Sequence, residues 1–278
     1  MKRAALCAVL FLAAAIALAV RDGGEASARA AAAGAAARTL GTGTSRFTVS
    51  VEMAQPRPDS VPDLVGEGVM DYLHHRGRIS YGHYSEQIFD GNSTYTTWPV
   101  PWHRPVRWLR VDSDSSDTEP FDLRERAMRN PTGLIEFLTA ASDDVRDAGS
   151  DEVRGTPTTR IEGTIDLQKV VDQSPAHQRA ELQDWLNFLG EDAPTTVPFR
   201  LWIDDAGVAR RLRIDSEGVA TATIEYYDFG VPVKVVTPPA SSVITVQELM
   251  TELEAHVGDS SCGRSGGTIC LERVVIAE

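Results

Sequence analysis

Residues 223–233 constrain this chain more than any other stretch. Thr223, Glu225 and Tyr227 alternate with Ile224, Tyr226 and Asp228, and the run then meets Gly230, Pro232 and the pair Pro238 and Pro239. Alternation of this kind is the mark of a strand with one face toward a core, and proline cannot donate to a ladder. The segment is therefore expected to end a sheet. The same period of two recurs at Phe47, Val49, Val51 and Met53, set against Thr48, Ser50 and Glu52, which predicts an early strand of the same type.

Further strands are expected from near Leu64, at Gly77 to Phe89, at Ser93 to Trp98 and at Arg107 to Asp112. Others follow near Val153 to Leu167, Val197 to Asp204, Val208 to Asp215 and Val219 to Phe229. Asp90, Gly91 and Asn92 supply a hairpin turn. Gly66 and Gly68 in the second strand predict strong bending or a bulge. A Pro/Trp-rich crossing is read at Trp98 to Pro105. Asn130 before Pro131 predicts a compact apolar helix carrying Leu134, Ile135, Phe137 and Leu138, and Ser174 before Pro175 predicts another carrying Leu182, Trp185, Leu186 and Leu189, ending at Gly190. A last helix starts at Thr245 with a Thr/Glu capping box closed by Glu248. Arg29 to Leu40, rich in alanine, reads as a linker or a first helix ending at Gly41. Helices inserted between two groups of antiparallel strands make an α+β architecture, with the helices on one face of the sheet.

The N-terminus bears Lys2 and Arg3, then 17 apolar residues from Ala4 to Val20, then Arg21 and Asp22. This reads as an export signal, with small-x-small sites at Ala17 to Ala19 and, better placed, Ala26 to Ala28; an uncleaved signal anchor is the alternative. Cys7 lies inside the apolar run. Cys262 and Cys270 remain as a pair flanking a Gly/Ser-rich loop, and an exported chain is expected to join them in a disulfide. The formal net charge is -13. Nucleic acid is therefore excluded as a partner, since phosphate binding needs a basic field, and strong docking on anionic lipid is disfavoured for the same reason. Two local basic clusters, Arg104/Arg107/Arg110 and Arg210/Arg211/Arg213, read as a solvated sheet face.

The motifs that suggest chemistry lack its context. Gly258, Asp259 and Ser260 superficially match a serine-hydrolase motif but sit in a Gly/Ser tail, with no strand-turn-helix elbow around them. His74 and His75, with His83 and His103 further on, have no cysteine or carboxylate at a zinc spacing. Asp112 to Glu119 is an acidic loop without the spacing or turn glycine of an EF-hand. No phosphate-cradling glycine motif appears. No cofactor, metal or catalytic residue is expected, and the chain is read as a non-enzyme.

The segment 223–233, together with Thr196 to Asp205, Gly207 and Arg210 to Arg213, resembles the actinobacterial LppX/LprG-type (LppX_LprAFG) envelope lipoproteins, whose fold is LolA-like. The resemblance covers roughly residues 44–239. It implies a curved antiparallel half-open β-barrel with helices packed on the concave side, holding acyl chains of lipid or lipoprotein for shielding or transfer. With the residue patterns above, the expected organisation is a signal peptide or anchor (1–28), an Ala-rich helix or linker (29–43), a LolA-like domain (44–239) and, outside the resemblance, a C-terminal helix with a cysteine-containing tail (240–278). Family members carry a lipid on a cysteine just after the apolar run, and here Cys7 is not so placed. The expected location is extracytoplasmic, secreted or anchored by the N-terminal segment at the outer face of the cytoplasmic membrane. The same fold also serves extracytoplasmic sensors that bind protein, which is the alternative function.

The ligand contacts of the family are not carried by a short motif, so the apolar pattern supplies them here. On the strands these are Phe47, Val49, Val51, Met53, Met70, Tyr72, Leu201, Ile203, Leu212, Ile224 and Tyr226. On the helices, acting as lid or plug, they are Leu134, Ile135, Leu138, Trp185 and Leu189.

Overall fold

The computed structural model describes residues 27–53, 64–83, 85–98, 107–112, 131–174, 179, 183, 195–216 and 220–258. Residues 1–26 of the expected export segment, residues 99–105 of the expected crossing, the acidic loop after Asp112, Leu182, Trp185, Leu186 and Leu189, and Cys262 and Cys270 lie outside these residues.

Helix α1 (27–40) precedes β1 (Thr44–Met53), β2 (Leu64–Asp71), β3 (Arg76–Ser80), β4 (Glu86–Asp90), β5 (Ser93–Trp98) and β6 (Arg107–Asp112). A 3-10 helix (Pro131–Ala140) leads to β7 (Arg146–Val153), β8 (Thr156–Asp166), α2 (Leu167–Gln173), β9 (Thr196–Ile203), β10 (Ala209–Ser216) and β11 (Ala220–Tyr227). The described chain closes with β12 (Val243–Thr245) and α3 (Val246–Gly258). All 12 strands form one sheet in the order β12-β6-β5-β4-β3-β2-β1-β11-β10-β9-β8-β7. Two meanders thus progress across the sheet in the same direction, and β1 joins them by pairing with both β2 and β11. The sheet is antiparallel except where β12 pairs parallel with β6. Its two edges, β7 and β12, do not meet, so the barrel is half open.

The inner face follows from the register. Val49, Ile224, Leu212, Leu201 and Ile161 pair in one continuous row across β1, β11, β10, β9 and β8. All five are buried in a single apolar cluster, which also takes Ala28, Ala32, Ala35 and Ala36 of α1. Those alanines fall on one helical stripe, and their small side chains let the helix backbone lie close to the sheet. Thr39 Oγ accepts a 2.9 Å hydrogen bond from the Ala209 N–H and pins α1 to β10.

Several expectations are corrected. Gly77 to Phe89 is two strands, β3 and β4, separated by a turn with Gly82 at φ 63°. Val153 ends β7 rather than beginning the next strand, because Arg154 (φ 51°) and Gly155 (φ 78°) make a two-residue hairpin loop. The helix expected from Pro131 is present and is a 3-10 helix over residues 131–140. The buried positions 134, 137 and 140 and 135, 138 and 141 repeat every three residues, with 136 and 139 exposed, and three residues per turn aligns each set on the sheet. Ser174 closes an unexpected helix, α2, its N–H donating to the Val170 carbonyl at 3.1 Å, with Asp166 as the N-cap of α2; of the helix expected after Pro175, residues 179 and 183 are described and are helical. The Thr245/Glu248 capping box is formed, with the Thr245 N–H donating to Glu248 at 2.9 Å. Residues after 240 also extend the sheet through β12.

Gly66 and Gly68 do not mark a bulge, since β2 pairs with β1 and β3 without a register shift. The shifts fall instead between Ala209 and Arg211 and between Asp147 and Ser150. The glycines make room for rings. A Cβ on Gly66 would lie 2.7 Å from the Tyr81 ring; one on Gly68 would overlap the Phe47 ring and lie 2.6 Å from the Arg78 carbonyl oxygen. Gly68→Ala should therefore lower the unfolding free energy by about 1–3 kcal/mol through overpacking. Thermal melting checks this, and an unchanged midpoint would contradict the packing described.

Candidate functional site: the inner face of the sheet

The strand residues expected from the sequence converge on one surface. Phe47, Val49, Val51, Met70, Tyr72, Leu201, Ile203, Leu212, Ile224 and Tyr226 all belong to the buried cluster, and Met53 packs at its margin. Leu134, Ile135 and Leu138 of the 3-10 helix enter the same cluster, with Leu138 0% exposed. The helix is held over β8 by a bridge between Ala141 and Ile165 and by the Ser142 N–H donating to the Thr164 carbonyl at 2.9 Å. Thr139 donates to Gln173 of α2 at 3.1 Å. The segment is therefore a plug seated among core side chains.

The inner face carries a gradient of polarity. Across β8 to β11 and β1 it is apolar, whereas on β4, β5 and β6 the register turns Gln87, Thr94, Thr96, Leu109 and Val111 to the same side. The last four of these are only half-buried. At the α1 end of β1, Ser45 and Tyr72 share a 2.6 Å hydrogen bond between their hydroxyls, both residues being buried. Burial pushes the Tyr72 phenol up to about 12, against the pull of the Ser45 bond. Tyr226 is buried with its hydroxyl unpartnered, and its phenol is raised by burial and by the neighbouring Tyr72. The sequence reading missed Ser45, Gln87 and Phe89. Alternation in β1 and β4 points to all three, but the polar two do not look like core residues.

The outer face is polar and paired. Glu225 accepts from Arg154 at 2.7 Å and from Arg211 at 2.9 Å. Arg154 lies 4.0 Å from the centroid of the Tyr227 ring, and Arg211 5.2 Å from that of Trp202. Trp202 donates to Asp151 at 2.9 Å. Of the basic clusters, Arg107 bonds Glu252 of α3 at 3.0 Å and Arg110 bonds Asp112 at 2.8 Å, while Arg210 bonds Asp204 at 2.9 Å. These arginines are thus paired, not merely solvated. His74 lies in the β2–β3 turn with its ring 2.8 Å from Asp71. Among the described residues, no three His, Cys, Asp or Glu side chains converge as a metal site would require.

Beyond β11, residues 231–239 form no regular secondary structure and pair with no strand. They are tied to the start of β1 by Thr44, whose hydroxyl donates to the Val231 carbonyl at 2.7 Å, and they lead across the barrel end to β12. Val233 and Val235 of this strap line a depression of ≈ 160 Å³ with Asp71, His74 and Arg76.

Burial works against the Glu225 charge, but the hydrogen bonds from Arg154 and Arg211 outweigh it and hold the carboxyl below its ordinary range. A folded-state value below the unfolded one contributes stability above the unfolded value, and that stability is lost as pH falls through the folded one. Glu225→Gln should therefore melt several degrees below the wild type at neutral pH, with the gap closing below about pH 4. Melting curves across that range check this; a gap that does not change with pH would contradict it.

Comparison with known proteins fits this geometry. The family model for the LppX_LprAFG lipoproteins matches residues 107–235. The 31.2 kDa protein of the rplA-rplJ intergenic region of Streptomyces griseus is 29% identical over 124 residues, 44% of this chain and 41% of that one. The matched stretch thus spans about two fifths of that relative. The crystal structure of LprF from Mycobacterium bovis is 16% identical, covering 77% of this chain and 98% of that one with a TM-score of 0.45. That of lipoprotein LppX from Mycobacterium tuberculosis is 15% identical, covering 76% and 98% with a TM-score of 0.42. The residues matched by the family model run from β6 through the plug and the second meander to the strap, and over them the chain is similar to the LppX_LprAFG lipoproteins.

Proposed function

We propose that this protein is a non-enzymatic, extracytoplasmic envelope protein that shelters acyl chains against the inner face of its sheet. The observation that carries the reading is the apolar row through Val49, Ile224, Leu212, Leu201 and Ile161, covered by a 3-10 helix whose own apolar side chains fill the space above it. A 3-10 run of 10 residues has poorer hydrogen-bond geometry than an α-helix and is held mainly by Leu134, Ile135, Phe137 and Leu138. An acyl chain offers the sheet the same kind of contact as those side chains. At about 0.8 kcal/mol per buried methylene, ~15 methylenes supply roughly 12 kcal/mol gross, enough to offset displacement of the plug and still be returned to a membrane. The family match supports this reading, since it covers the plug and the second meander.

Among the described residues no helix is long and apolar enough to cross a membrane. Anchoring by the N-terminal apolar run, or its removal, therefore remains part of the proposal. Ala28 is buried in the core cluster, which favours processing upstream of α1 over cleavage after Ala28. A second reading, a sensor domain that binds protein, is favoured by the closeness with which the plug side chains fill the inner face.

Native mass spectrometry of gently purified exported protein tests the first reading against the second. Co-purifying lipid that is displaced by added acyl ligand supports the carrier. Protein free of lipid that also takes up no fatty acid or phospholipid would overturn it and favour the sensor.

A further inference from the structure

The outer face of β8, β9 and β10 holds a depression of ≈ 240 Å³ lined by Asp144, Arg146, Glu162, Arg200, Arg213 and Asp215, among others. Its charges do not pair off internally. Glu162 alone serves three arginines: Arg146 at 2.9 Å, Arg160 at 3.3 Å and Arg200 at 3.6 Å. One Asp144 carboxylate oxygen accepts from the N–H and the hydroxyl of Thr164 at 3.1 and 3.0 Å. Arg213 stands directly across from Arg200 in the ladder, so two like charges face each other, an arrangement that destabilises a sheet when nothing neutralises it. The Arg213 Nε is sealed from solvent and has no acceptor. Asp215, two residues further along the same face of β10, has no side-chain partner among the described residues.

A surplus guanidinium with a buried, unmet donor and an unpaired carboxylate thus line one small depression. A simple anion would answer Arg213 but meet Asp215 and Asp144; a simple cation would meet the arginines. We propose that this depression binds a small zwitterion, its phosphate or carboxylate on Arg213 and Arg200 and its ammonium toward Asp215. At ~30 Å³ per water, the space matches a molecule or lipid headgroup of several heavy atoms, not an acyl chain. Guanidinium is the side chain suited to a planar or tetrahedral oxyanion. The site lies on the face opposite the apolar row and does not depend on the acyl-chain reading.

The test is a titration of the full-length protein with O-phosphoethanolamine, inorganic phosphate and ethylamine as separate probes, followed by calorimetry or amide chemical shifts. O-phosphoethanolamine should bind about tenfold or more tightly than either single-charge probe, a gain of ~1.4 kcal/mol. Arg213→Gln should abolish binding of O-phosphoethanolamine and phosphate without lowering the melting temperature, because it removes one of two facing like charges. Asp215→Asn should erase the preference for the zwitterion and leave phosphate binding in place. Vesicles of phosphatidylethanolamine, run with wild type and Arg213→Gln, separate the sources: Arg213-dependent vesicle binding identifies a lipid headgroup, and its absence a free small molecule. Failure of O-phosphoethanolamine to bind, binding that survives Arg213→Gln, or equal affinity for phosphate and the zwitterion would each overturn the proposal. An Arg213→Gln protein that melts much lower yet keeps its probe response would assign Arg213 a purely structural role.

Discussion

The double pairing of β1 is the constraint on which the rest of the structure depends. Each meander is local: β2 to β6 and β7 to β11 can form from hairpins between sequence neighbours. What makes them one sheet is that β1 pairs with β2 from Thr44↔Asp71 to Val51↔Leu64 and with β11 from Arg46↔Tyr227 to Met53↔Ala220. The second pairing closes a loop of well over a hundred residues, whose entropy cost is recovered only when Phe47, Val49 and Val51 reach the inner faces of both halves. A one-residue slip would turn those three outward. Gly68 protects the register from the other side, because the Phe47 ring occupies the space that a side chain there would need.

Inner and outer faces solve different problems. The inner face is stabilised by burial and is filled at β8 to β11 by side chains from the plug, α1 and α2. Its buried polar atoms lie mainly toward β1 to β5, where Ser45 and Tyr72 satisfy one another and Tyr226 does not find a partner. On the outer face the long arginine side chains lie over Trp202, Tyr227 and Phe229 while their charges meet Glu225 and Asp204. Such pairs are individually worth little where solvent screens them. Around Trp202, 6% exposed, they form a connected network. Lys and Arg stems covering apolar surface explain how one sheet can be apolar on one side and strongly charged on the other.

What was legible in the sequence was whatever depends on local period. β1, β9, β10 and β11 announce themselves by alternation, and the β4–β5 hairpin by Gly91 and Asn92. β7 does not, because an edge strand is protected by charge: Arg146, Asp147, Asp151 and Glu152 blunt the edge and erase the pattern. The plug was found as a helix without its type, since a period of three differs from 3.6 by too little to notice over eight residues unless Glu136 and Thr139 are read as markers. The strand residues of the inner face could be named because apolar alternation selects them. The Arg213 environment could not: the facing of Arg200 and Arg213 arises from the β9–β10 register and the shift between Ala209 and Arg211.

The central claim is that the 3-10 helix is a removable plug over a permanent apolar sheet. Hydrogen exchange of the amides of residues 134–141, with and without saturating long-chain fatty acid, tests it most directly. The account predicts that ligand changes exchange in the plug by about tenfold or more while the β1 and β11 amides stay protected. Exchange in the plug that is indifferent to ligand, or that rises only together with β1 and β11, would contradict it.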